Sequence, residues 1–151
     1  MNALALILVL FAPAHPALKP SIQYTLRVDS TDLSGWSVEI RLRTTSDTIR
    51  LAMAAHPEYD DRYWRYVTGF SVESSGEATF AEIDLGVWQV VAPRGPIVIL
   101  YRIGLPRSGS DPQQRGACRP FLTPTGGLFG GPHAFMYLLG SERAMVGFRC
   151  Y

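Results

Sequence analysis

Two imidazoles are the side chains best suited to chemistry in the body of this chain, His56 and His133; a third, His15, lies near the amino terminus. Glu58, Asp60 and Asp61 stand beside His56, and together with His133 they carry the donor types of a zinc site. A protein zinc site draws on closely spaced ligands, and neither imidazole belongs to a His-x-x-x-His pair, so the chain has no His-Glu-x-x-His helix. That spacing fits the acidic start of a surface helix and two unrelated imidazoles better than a metal centre. Asp60 and Asp61 are adjacent, so on a helix they diverge rather than converge on one bond. No Gly-x-Ser-x-Gly elbow is present. Gly126, Gly127, Gly130 and Gly131 lack the Gly-Lys-Ser/Thr that follows a phosphate loop, and turns explain them more simply. The expectation is a chain with no catalytic residue, no metal ligand set and no cofactor of its own.

Cys118 and Cys150 have no neighbouring His to activate a thiolate. In an oxidising compartment they can form a disulfide, worth about 3–4 kcal/mol by loop entropy; as free thiols they are small hydrophobes. Both readings stand at this level.

Residues 56–70 read His-Pro-Glu-Tyr-Asp-Asp-Arg-Tyr-Trp-Arg-Tyr-Val-Thr-Gly-Phe, and here the period-2 alternation of the surrounding chain breaks. Tyr59, Tyr63, Tyr66 and Phe70 recur at three- and four-residue steps, the spacing of one stripe on a short helix near residues 59–66. Asp60 is placed to cap it, Asp61 and Arg65 form an i,i+4 pair of the favourable order, and Gly69 is placed to end it. One reading makes the rings a lid on a β-domain core. The other makes Tyr59, Tyr63, Trp64 and Tyr66 anchors of a contact surface.

The elements that must position these groups follow from alternation. Residues 21–29 set Ile22, Tyr24, Leu26 and Val28 against Gln23, Thr25, Arg27 and Asp29. Residues 32–35 read as a turn, and Trp36, Val38, Ile40 and Leu42 as the next strand's buried face. Ile49, Leu51 and Met53 make a third, and the three together suggest an antiparallel meander with one wet face. Further strands are expected at residues 70–73, 79–83, 87–91, 97–103, 134–139 and 144–150. The run 97–103 is apolar on both faces except for Arg102, which predicts a central strand covered on both sides. Residues 104–120 and 124–132 read as loops rich in Gly and Pro. Seven to nine short strands punctuated by turns predict an all-β, antiparallel β-sandwich with one short helical turn.

At 151 residues the chain has the length of one domain. Fourteen basic against thirteen acidic residues, without a like-charge block, argue against nucleic acid as a partner. Residues 3–11 are an unbroken apolar run, too short to span a bilayer, followed by Ala12-Pro13-Ala14. This predicts a signal peptide over 1–14, a linker over 15–20 and a single domain over 21–151. The expected location is periplasmic or extracellular, with no membrane span after signal removal.

Three motifs then belong together: His-Pro-Glu-Tyr-Asp-Asp-Arg-Tyr-Trp-Arg-Tyr-Val at 56–67, Arg-Pro-Phe-Leu-Thr-Pro-Thr-Gly-Gly-Leu at 119–128, and Gly-Gly-Pro-His-Ala-Phe-Met-Tyr at 130–137. They resemble the N-terminal β-domain of the glycyl-aminopeptidase family, exported thermolysin-like zinc metallopeptidases that usually carry a PDZ domain. The resemblance runs from about residue 22 to about 148. It implies that zinc belongs to a later catalytic domain, whose His-Glu-x-x-His helix and downstream Glu have no counterpart here. The chain is then expected to be a fragment or a stand-alone copy of a non-catalytic accessory domain. Its implied partner is a catalytic metallopeptidase domain, in cis or in trans, whose cleft it flanks. The expected contact face is Tyr59, Tyr63, Trp64 and Tyr66 with the loop at 126–133, including Leu128, Phe129 and His133. Two other readings remain: a free-standing exported module that binds peptide or carbohydrate on aromatic rings, and a small hydrolase using His56 or His133 with a carboxylate.

Overall fold

The computed structural model describes residues 21–54, 62–105, 120–141 and 144–151. Strand β1 (Ile22–Asp29) turns at Ser30 and Thr31 into β2 (Asp32–Thr44), the longest strand. The Asp29 carboxylate accepts the Thr31 N–H at 2.8 Å and fixes that turn. Residues 32–35, expected to be the turn, therefore open β2 instead. The reversal falls two residues earlier, because a side-chain acceptor at Asp29 closes the tighter loop.

The chain then changes layer. Thr44 accepts the Ser46 N–H at 3.0 Å in a corner, and β3 (Thr48–Met53) leaves β2 behind. It pairs with β6 (Val87–Val91) on one side and β10 (Met136–Leu138) on the other. The expected three-strand meander is thus absent. Alternation reports that one face is buried, not which strand lies beside it.

After β3 come a 3-10 turn at Tyr63–Tyr66, β4 (Val67–Glu73), β5 (Thr79–Asp84) and β6, then β7 (Gly95–Gly104). The hairpin β8 (Phe121–Thr123) and β9 (Gly126–Leu128) and a one-turn helix, α1 (Gly131–Ala134), precede β10. The last strand is β11 (Val146–Cys150). The described residues form a five-stranded sheet in the order β11-β1-β2-β7-β4, a four-stranded sheet in the order β10-β3-β6-β5, and the small β8-β9 ribbon. This is the all-β sandwich that the alternation predicts. One pair departs from antiparallel: β11 runs parallel to β1, with Tyr24 opposite Phe148.

The core is built on rungs across three strands. Ile22, Leu42 and Ile97 share one, Tyr24, Ile40 and Ile99 the next, and Leu26, Val38 and Tyr101 the third. All nine are buried. From the other sheet Leu51, Met53, Trp88, Val90 and Met136 meet them. On the outer side Glu39 takes Arg27 at 3.2 Å and Arg41, and Arg102 reaches Asp32 at 2.8 Å.

Strand β7 lies between β2 and β4 as expected for an interior strand, but only one face is fully covered. Ile97, Ile99, Tyr101 and Ile103 are buried, whereas Val98, Leu100 and Arg102 on the other face are half-buried. The glycine-rich segment at 124–132, read as a loop, supplies β9 and α1 instead.

Candidate functional site

The helical turn begins after Arg62 and ends at Val67, which is already extended at φ −71° and ψ 126°. Val67 and Thr68 are β-branched and start β4. Gly69 does not end the helix. It lies inside β4 with φ +60°, where the pairing to β7 shifts register between Thr68 and Ser71. The expected aromatic stripe divides at that bulge. Tyr63 and Tyr66 pack edge to face at 5.4 Å, while Phe70 turns to the strand layer and stacks on Trp88 at 5.9 Å. Tyr59, Asp60 and Asp61, with His56 and Glu58, lie outside the described residues, as do Cys118 and residues 1–20.

Two sequence-distant segments of the expected contact face do meet. The Tyr63 and His133 rings are 4.7 Å apart, edge to face. His133 is set by its own loop: its Nδ1 accepts the Gly130 N–H at 3.1 Å. Phe129 lies against Trp36 at 5.4 Å. The Trp36 indole N–H is buried and finds no acceptor among the described residues. Tyr63 is only 2% exposed and supports the face from beneath. Trp64 and Tyr66 are half-buried, and Leu128 is 53% exposed at the open end of the hairpin, opposite Phe121. The Trp64 ring rests on the turn at Gly86, where a Cβ would come 3.0 Å from it.

The backbone after His133 is held from across the sandwich. The Tyr101 hydroxyl donates to Ala134 O at 2.8 Å and accepts the Met136 N–H at 3.0 Å. The Tyr24 hydroxyl donates to Met136 O at 2.6 Å. Burial raises both phenols, Tyr24 to about 12 and Tyr101 further. They remain neutral hydrogen-bonding groups through the physiological range. Such phenols orient a loop; neither lies at an open surface where a substrate would meet it.

A second aromatic surface, which alternation alone does not reveal, opens between the edges β4 and β5. Its cleft of about 570 Å³ is lined by Trp64, Arg65, Phe70, Phe80, Glu82 and Trp88, with the β4 bulge at one side. Phe70 lies 4.9 Å from Phe80 and joins the two layers. Each of these residues reads as part of a strand or turn in the sequence, but their meeting depends on the layer change at β3.

Cys150 is exposed on β11. Among the described residues no three His, Cys, Asp or Glu side chains converge as metal ligands would. The arrangement can pack, stack and hydrogen-bond.

The fold and these surfaces define an all-β sandwich domain with two aromatic faces at its ends and edges. No family model matches the chain, and no curated protein is similar to it. Among solved structures it is similar to an aminopeptidase N family protein from Idiomarina loihiensis, with a TM-score of 0.71 and 16% identity. The match covers 86% of this chain and 22% of that one, so this chain spans about a fifth of that protein's length. At that identity the likeness is one of fold.

Proposed function

We propose that this chain is a non-catalytic accessory domain of an exported zinc aminopeptidase of the glycyl-aminopeptidase kind, packing beside a catalytic domain and flanking its cleft. The observation that carries the reading is the fold match, in which nearly the whole chain corresponds to a minor part of an aminopeptidase N family protein. The three motifs that resemble the family's N-terminal domain add to it, and two of them meet at Tyr63 and His133.

An uncovered apolar edge also supports a packing role. Val146 and Phe148 register with Ile22 and Tyr24, whose side chains face the core, yet they are 41% and 58% exposed. Isolated modules seldom leave such a strip to water. In this reading zinc is held by the partner domain, and the contact face runs from the Tyr63–Tyr66 turn to the loop ending at His133.

The test mixes the purified chain with a separately expressed zinc domain of a glycyl-aminopeptidase-type enzyme and follows complex formation by sedimentation. A complex is expected, weakened about tenfold by Trp64→Ala, the size of a modest interface anchor. Unchanged binding with only a loss of stability would assign the rings to the core. Export is checked on the secreted protein, which is expected to begin after residue 14; recovery with Met1 in place argues against it.

A further inference from the structure

The charge of this chain is nearly balanced overall, but it is not evenly spread. Residues 66–93, which carry β4, β5 and β6, contain Glu73, Glu77, Glu82 and Asp84 and no Lys, Arg or His. This segment supplies most of the lining of the cleft between β4 and β5, which Trp64 and Arg65 complete. Strand β5 is the outer strand of its sheet, and all six of its residues are exposed. Among the described residues, one side of its backbone therefore has no partner strand.

We propose that this edge binds an extended basic peptide, which pairs along β5 and places one lysine or arginine side chain in the aromatic cleft. This rests on the cleft and strand edge and not on the accessory-domain reading, with which it shares only Trp64. Two features select the occupant. First, the walls carry the rings of Trp64, Phe70, Phe80 and Trp88, and aromatic rings attract a cation. Second, Glu82 stands among them. Its Oε1 accepts the Gly86 N–H at 3.1 Å, and it makes no ion pair within the described chain. The turn thus holds a carboxylate in place beside aromatic walls. The cation that also lines the cleft is turned to its own segment: Arg65 donates from Nε to Arg62 O at 3.1 Å, and its guanidinium lies 5.5 Å from the Tyr66 ring centroid. A volume of about 570 Å³ lies in the range of small-ligand sites and admits one long side chain with its neighbours. The open edge supplies main-chain hydrogen bonds, and the cleft reads one alternate side chain, which is how strand addition divides affinity from specificity.

The experiment titrates the full chain, isotope-labelled for NMR, with the blocked peptide Thr-Val-Lys-Val-Thr and with the same peptide carrying norleucine for lysine. The lysine peptide is expected to bind at least tenfold more tightly, with amide shifts concentrated in β5 and around Trp64 and Trp88. Glu82→Gln keeps the acceptor for the Gly86 N–H and is expected to abolish the difference between the two peptides while the spectrum stays folded. Phe80→Ala is expected to weaken the lysine peptide selectively. Equal affinity for both peptides, shifts on another face, no binding at all, or an undiminished preference in Glu82→Gln would each overturn the proposal.

Discussion

The rings of Tyr63 and His133 meet edge to face at 4.7 Å, joining a turn before β4 to a helix seventy residues later. Tyr63 is 2% exposed, so this contact is part of the core and also the base of the proposed contact face. Tyr63→Ala is expected to cost about 3 kcal/mol in urea unfolding, the usual scale for truncating a buried aromatic. It should also move the His133 ring-proton resonances, because the adjacent ring current is lost. Resonances that stay fixed would mean the two rings do not share an environment.

Tyr101 holds the other side of that helix. Its hydroxyl is both donor to Ala134 O and acceptor from Met136 N–H. Tyr101→Phe leaves two buried backbone groups without their partner and is expected to cost about 2 kcal/mol. Tyr24→Phe strands only Met136 O and should cost less. Because both act on one segment, the double variant is expected to depart from the sum of the single ones. Strict additivity would indicate that the two hydroxyls act independently.

Gly35 lies opposite Gly104 where β2 pairs with β7. A Cβ there would sit 2.1 Å from the Ile103 carbonyl oxygen, a backbone atom that cannot swing away. Gly35→Ala is expected to destabilise by about 3 kcal/mol, the upper range for overpacking, read as a lowered denaturation midpoint. A midpoint unchanged from the parent would show that the strands can separate at no cost.

Stability should fall at both ends of the pH scale for different reasons. The Arg41 hydrogen bond, with Arg27, holds the Glu39 carboxyl below its ordinary 4.5. A depressed carboxyl stabilises the fold above that value, and the contribution is lost as pH falls through its folded value. Arg41 and Arg27 are more than half exposed, so solvent screening keeps the effect small. Glu39→Gln is expected to flatten the acid limb below about pH 4.5. Burial has the opposite sign for Tyr24: its phenol rises from 10.0 to about 12, so the unfolded chain ionises first and the fold loses stability above pH 10. Tyr24→Phe should remove part of that alkaline limb. Thermal midpoints across pH check both; unchanged limbs in the variants would show that these groups do not set them.

Much of the sandwich was legible in the alternation. Ile22, Tyr24, Leu26 and Trp36, Val38, Ile40, Leu42 face the core as period-2 spacing requires. The pairing was not legible, because β3 carries the same alternation whether it joins β2 or crosses to the other layer. The parallel union of β1 with β11 is equally silent in sequence, since it rests on a contact between distant ends. At the site, the aromatic cluster at 63–66 was visible, but its division was not. Period-3.6 spacing carried the stripe on to Phe70, whereas the β-branched Val67 and Thr68 and the bulge at Gly69 give that ring to Trp88 and Phe80. The cleft containing Glu82 had no signal in sequence beyond the acidic stretch around β5.

We propose that this chain packs and binds, with bond-breaking chemistry residing in a partner domain. The direct measurement incubates the homogeneous purified chain, with added zinc, with a fluorogenic aminoacyl or peptide substrate. Hydrolysis at the buffer rate is expected. Zinc-dependent turnover that disappears on His133→Ala, with the fold retained, would contradict it.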